Sequence, residues 1–263
     1  YDPRIGAGIA DLFQDNTKAI FLESPGSLTF EVCDTPAIVE AAKARGIRTI
    51  MDNTWGAGLH HQPLALGVDL SVQALTKYVS GHSDAFGGAV MTGTPGMAGR
   101  VEAVSEDWGI CLSPDDAFLC LRGLRTLKTR LKAHEAAGLA VSEWLAARDE
   151  VASVLNPALP THPDHALWQR DFSGSNGLFG VILNTVPAGG MERFFEALHL
   201  FSMGFSWGGF ESLIIPCDQQ LMRMKGNWTD RRAGPLLRLH IGLEAVDDLV
   251  ADLASGFAAL TGK

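Results

Sequence analysis

Residues 18–51 read KAIFLESPGSLTFEVCDTPAIVEAAKARGIRTIM, and this stretch decides the fold. Lys18 to Leu22 and Ile47 to Met51 are short runs rich in apolar and β-branched residues, the pattern of buried strands. Between them Thr35-Pro36 opens a helix with an N-cap and a first-turn proline, and Gly46 closes it. Strand, helix and strand in so short a span form a crossover unit with its two strands parallel. Asp69 to Leu75 and Ala89 to Thr92 continue the rhythm as further strands. Ligands of such sheets gather at the carboxyl ends of the strands, so the loops after Met51 and Leu75 are the first places to expect a site.

Further along, Leu124, Leu127, Leu131, Val141 and Leu145 recur at helical spacing with basic residues between them, which predicts one long helix from Leu121 to Arg148. Pro157, Pro160 and Pro163 then punctuate an irregular loop. A strand near Leu178 to Leu183, a helix near Glu192 to Leu198, strands near Leu213 and Leu237 and a last helix from Ala245 to Leu260 follow. The expected class is α/β: a mostly parallel sheet within residues 1–123, the C-terminal part of a large domain, then an α+β C-terminal small domain over residues 124–263 that begins with the long interdomain helix.

Composition suits that expectation. The 263 residues are 46% apolar and 19% charged, the balance of a soluble globular protein with a sizeable core. Twenty-one basic residues against 30 acidic ones give a net charge of -9, which argues against a nucleic-acid or anionic-membrane partner. The one basic cluster, Arg122 to Lys132, reads as a helix face. Phe172 to Met191 carries no charge and is long enough to cross a bilayer, but its glycines, Pro187 and two asparagines argue against a membrane span. Cys33, Cys111, Cys120 and Cys217 form no C-x-x-C pair and match no zinc spacing, which points to reduced thiols and a cytoplasmic setting. His162-x-x-His165 and His60-His61 each supply two ligands without a third, so no metal is expected.

Two candidate chemistries remain. Asp52 ends one strand and Lys77 lies just past another, so an amine and a carboxylate can face one ligand from two sides. Pyridoxal phosphate (PLP) needs both, the amine to bond its aldehyde and the carboxylate to keep its ring nitrogen protonated. A strand-end aspartate is also a common helix cap, and a lysine a common surface charge. The second candidate is Gly204-Phe205-Ser206-Trp207-Gly208, a literal G-x-S-x-G, with Asp218 or Asp230 and then His240 in the order of an α/β-hydrolase. That elbow needs a strand before the serine and a helix after it. Here Gly209 to Pro216 reads as a short strand, and no H-G-G-G segment is present.

Five segments decide between these. Phe21 to Ser27, Asp52-Asn53-Thr54-Trp55, Thr76-Lys77-Tyr78 with Gly81-His82-Ser83-Asp84, Phe205 to Gly209, and Leu237 to Glu244 resemble the Cys/Met-metabolism family of PLP-dependent enzymes, in unbroken order along the whole chain. The resemblance implies fold type I, with an aspartate-aminotransferase-like PLP domain. It matches Lys77 to the lysine that bonds the cofactor, moves the substrate Cα proton and protonates the leaving thiolate. Asp52 matches the partner of the pyridine nitrogen, Thr76 a phosphate-contacting hydroxyl, Arg238 the arginine that grips the substrate carboxylate, and Ser206 and Trp207 the substrate-side loop. A rigid guanidinium fork suits a carboxylate.

Within the family the motifs are most similar to bacterial members that cleave L-cystathionine at its β-carbon–sulfur bond, giving homocysteine, pyruvate and ammonia. Ser27 in E-S-P-G-S, where γ-acting relatives carry Asn, favours that branch over a γ-lyase or cysteine desulfhydrase. Ala74 stands where many relatives have a second phosphate-binding Ser, and Phe205 where some β-lyases have Tyr. The resemblance also implies a homo-oligomer, a dimer of dimers, and a front segment that precedes Tyr1 and helps to close the site. Without that segment, a fragment unable to hold PLP is the alternative.

Overall fold

The computed structural model describes residues 1–221 and 233–260. Strand β1 (Ala19–Glu23), helix α1 (Thr35–Ala44) and strand β2 (Arg48–Asp52) form the parallel crossover. Strand β3 (Leu70–Ala74) joins parallel to β2, and β4 (Gly88–Thr92) closes the order β1-β2-β3-β4 in the antiparallel sense. Alternation along the strands turns Ile20, Leu22 and Met51 inward against Ile38, Val39 and Ala42 of α1. The cap of α1 lies one residue before the expected Thr35: the Asp34 carboxylate accepts from the Ala37 amide, and Pro36 occupies the first turn. Gly46, at φ 65°, ends the helix as expected.

The predicted long helix is two helices. α3 (Pro114–Leu124) follows α2 (Pro95–Asp107), and α4 (Leu127–Ala146) starts after a break at Thr126, where φ is -109° and ψ 1°. The cause is tertiary. Gly123 packs so closely on the chain that a Cβ there would lie 2.3 Å from the carbonyl oxygens of Val79 and Ser80. Its own carbonyl accepts from the Thr126 amide and from the Arg130 guanidinium instead of continuing one helix.

Beyond α4 the second sheet is antiparallel throughout. Strands β5 (Val151–Leu155), β6 (Leu178–Leu183), β7 (Leu213–Pro216) and β8 (Leu236–His240) run in the order β5-β6-β8-β7. Helices α6 (Gly190–Glu196) and α7 (Val246–Leu260) pack with α4 on one face around Val141, Phe179, Phe194, Leu239, Leu253 and Phe257. The strands and helices expected after residue 178 are therefore present. Helix α5 (His165–Asp171), β5, α2 and a 3-10 segment, Pro3–Leu12, were not anticipated. A separate core made of Phe30, Trp55, Tyr78, Leu131, Trp207 and Leu236 joins the two halves directly beneath the ends of β2 and β3. Among the described residues no helix is long and apolar enough to cross a membrane.

Candidate active site

Lys77 sits on a tight turn after β3. Its amide donates to the Ala74 carbonyl (3.2 Å), the Ser80 amide to Leu75 (2.9 Å) and the Gly81 amide to Lys77 (2.8 Å). Arg130 of α4 fixes the turn from below, its buried guanidinium donating to the carbonyls of Tyr78 (2.7 Å), Val79 (3.2 Å) and Gly123 (2.9 Å). Three backbone acceptors offset the burial of that charge. Gly81, at φ 69°, is required here because a Cβ would lie 2.0 Å from Arg130 Nη1. Tyr78 is buried and its hydroxyl accepts from the Gly177 amide at 3.2 Å, which makes it part of the support rather than a reacting group.

Asp52 ends β2 beside this turn. Its Oδ1 accepts from the Thr54 amide (2.8 Å) and hydroxyl (2.5 Å), and the same hydroxyl accepts from the Ala74 amide at 2.9 Å. Thr54 thereby ties the carboxylate to the strand that carries Lys77, while Oδ2 has no hydrogen-bond donor among the described residues. Glu23, paired with Asp52 in the β1–β2 register, adds a second acid. Desolvation pushes its carboxyl above the usual range and the charge of Asp52 adds to this, while hydrogen bonds from Ser27 and the charge of Arg238 oppose it.

The other wall comes from the second sheet. Lys77 Nζ donates to Ser206 Oγ at 3.0 Å and lies 5.4 Å from the centre of the Trp207 ring. Burial lowers its proton affinity below that of an ordinary lysine, Arg238 lowers it further, and Asp52 opposes both. Arg238, on β8 and only 7% exposed, donates to the Phe205 carbonyl at 2.6 Å. Among the described residues no carboxylate lies within ion-pair distance of it. Glu23 acts on it only from beyond ion-pair contact, and a buried guanidinium with no carboxylate bonded to it is a natural receptor for a ligand carboxylate. Thr76 is placed differently from the rest: its hydroxyl and the Gly87 backbone bond each other in both directions, at 3.3 and 3.1 Å.

Gly208 fits where no other residue would. Its φ is 84°, and a Cβ would lie 2.6 Å from the Tyr78 amide nitrogen and 2.9 Å from the Lys77 carbonyl carbon. Gly208→Ala is expected to cost about 1–3 kcal/mol, through left-handed strain and displacement of the Lys77 turn. A thermal melt showing the variant as stable as the parent would contradict this.

The hydrolase arrangement is not assembled. His240 Nε2 meets the backbone of Gly208 and Gly209 rather than Ser206. Ser206 neither follows a strand nor precedes a helix. Asp218 lies in a short 3-10 turn, and Asp230 is outside the described residues. His162 Nδ1 accepts from the Asp164 amide and His165 bonds the Pro157 carbonyl, while His61 stacks on Phe172. Among the described residues no three metal-ligating side chains cluster.

An amine and a carboxylate at neighbouring strand ends, opposite a buried guanidinium free to take a carboxylate, define an enzyme class that handles amino acids through a carbonyl cofactor. The chain belongs to the Cys/Met metabolism PLP-dependent enzyme family, whose model it matches over residues 1–258. It is 45% identical to the cystathionine beta-lyase of Salmonella typhimurium and 45% identical to cystathionine beta-lyase MetC of Escherichia coli, in both cases over 99% of this chain and 67% of the relative. Among solved structures, cystathionine gamma-lyase from Lactobacillus plantarum, crystallised with L-serine, superimposes with a TM-score of 0.91 at 30% identity, over 99% of this chain and 68% of that one. The chain thus spans about two thirds of the length of these relatives. The donor set fits PLP, with Lys77 for the aldehyde, the open Oδ2 of Asp52 for a protonated ring nitrogen, and Arg238 for the carboxylate of an amino acid. Thr76 fits the phosphate only if its pair with Gly87 opens.

Proposed function

We propose that this protein is a carbon–sulfur β-lyase that takes L-cystathionine to homocysteine, pyruvate and ammonia, with residues 1–123 as the C-terminal part of a large cofactor-binding domain and 124–263 as the C-terminal small domain. The observation that carries the reading is the Lys77 amine, held at 3.0 Å from Ser206 Oγ and acted on by the charges of both Asp52 and the buried Arg238, which has no carboxylate in ion-pair contact among the described residues. PLP, when bound, supplies an electron sink for the pair left at the substrate Cα as its proton departs. Arg238 binds the substrate carboxylate with its fork and so orients the Cα–H bond. Lys77, less basic than a free lysine, takes that proton and returns one to the departing sulfur. Asp52, aimed by Thr54, keeps a proton on the ring nitrogen. Ser206 and Trp207 cover Lys77 and restrict water.

The β over γ choice is supported by Ser27 and by the names of the relatives at 45% identity, and a gamma-lyase of the same fold keeps the other open. Phe86, Trp108 and Phe118 are between 65% and 81% exposed in the single chain, which supports a homo-oligomer that covers them. A cytoplasmic setting follows the reduced thiols. Incubation with L-cystathionine and PLP decides the reaction: pyruvate is expected, 2-oxobutyrate would mean γ-cleavage, and neither product would mean that the chain is not a lyase by itself.

A further inference from the structure

The least explained group beneath the site is a pair of buried histidines, His134 of α4 and His240 of β8, whose ring centroids are 5.3 Å apart. Tyr78 contacts both rings, at 5.2 and 5.7 Å. The two rings are used differently. His134 Nδ1 donates to the Ile241 carbonyl at 2.8 Å. His240 Nε2 lies 3.1 Å both from the Gly208 amide nitrogen, which can only donate, and from the Gly209 carbonyl oxygen, which can only accept, so either tautomer ties the ring to this loop through Nε2.

The loop that His240 meets is the one that covers Lys77. Two residues earlier on the same face of β8, Arg238 holds the Phe205 carbonyl at 2.6 Å. Ser206 and Trp207, which reach the Lys77 amine, lie between these two attachment points. One strand therefore grips both ends of the loop through backbone atoms.

We propose that His240 is a positioning residue which, by bonding the Gly208–Gly209 backbone through Nε2, holds Ser206 and Trp207 against the Lys77 amine and keeps water from it. The inference rests on the reading of Lys77 as the reacting amine. Its neutral form is the working one, and the surroundings enforce it: burial first, then His134, with Arg238 and Lys77 adding, push the imidazole down to about 3 against the pull of the Gly209 carbonyl. Protonation would set a third positive charge beside Arg238 and Lys77.

Glutamine and asparagine separate this role from simple packing, because the glutamine carbonyl reaches the place of Nε2 and the asparagine carbonyl only that of Nδ1. The test follows the pH dependence of Lys77 reductive methylation by formaldehyde with cyanoborohydride as the hydride donor in the 263-residue chain, read by peptide mass. In His240→Asn the Lys77 midpoint is expected to rise toward the ordinary lysine value of about 10.4. With PLP added, kcat on cystathionine is expected to fall by roughly 10- to 100-fold, with less change in KM. His240→Gln restores both. His240→Met, which fills the volume without a group to bond the Gly208–Gly209 backbone, predicts the same shift should the asparagine variant fold poorly. An unmoved Lys77 midpoint in folded Asn or Met variants, or a glutamine variant no better than asparagine at equal melting temperature, overturns the role. A midpoint that moves in a protein making no pyruvate would sink the lyase reading and leave the positioning role standing.

Discussion

Lys77→Ala is expected to end pyruvate formation from cystathionine and to remove the visible absorbance that the parent protein gains with added PLP. Loss of proton transfer alone accounts for about 10²- to 10⁴-fold in rate, and the same substitution also removes the only amine in the site that could bond the cofactor among the described residues. The structure supplies a control for folding. Lys77 is bonded to the protein by its backbone and by one side-chain hydrogen bond to Ser206, and the turn beneath it is held by Arg130 and Gly81, so the alanine variant should melt close to the parent. Lys77→Arg sharpens the result: the guanidinium keeps the positive charge and can still donate to Ser206, but it stays protonated at any working pH and cannot act as a base. Both variants should be inactive and both folded. Turnover or the absorbance band surviving in either would remove Lys77 from the reaction.

Why the lysine could be found in the sequence while its supports could not is a matter of contact range. The strands β1 to β3 declare themselves by apolar runs, and once they are parallel, Asp52 and Lys77 must emerge at one edge. That inference needs only local pattern and the chirality of the chain. Thr54, Arg130 and His240 act on backbone groups far away in sequence: the Ala74 amide for Thr54, the Tyr78 carbonyl for Arg130 and the Gly208 amide for His240. Nothing in a threonine, an arginine on a basic helix or an alternating strand residue announces such a partner. The same limit explains the misread helix. Leu124 and Leu127 keep helical spacing across Thr126, and only the approach of Gly123 to Val79 and Ser80 forces the break. Strand β5 was hidden because only its last two residues are buried, so no alternation marks it.

Arg238→Ala is the second large expectation, and its size follows from what surrounds the guanidinium. Removing one partner of a buried charged contact costs about 2–5 kcal/mol, which in kcat/KM is roughly 30- to 5,000-fold. Two separable effects are expected within that loss. The substrate carboxylate loses its fork, which raises KM for cystathionine and for any amino-acid competitor. In addition, a cation that lowers the basicity of Lys77 disappears, so the Lys77 amine titrates at higher pH and the rising limb of the activity profile moves to the alkaline side. The sign is fixed: Arg238 disfavours a second positive charge nearby, and its removal can only make that charge easier to hold. Arg238→Met, which preserves much of the packing, should show the same two effects. Arg238→Lys should keep the profile near the parent position, since the charge remains, yet still bind the carboxylate poorly because a single ammonium cannot make the paired bonds. A methionine variant with parental kcat/KM would remove Arg238 from substrate binding. A lysine variant that shifts the profile as far as methionine does would show that the charge of Arg238 is not what tunes Lys77.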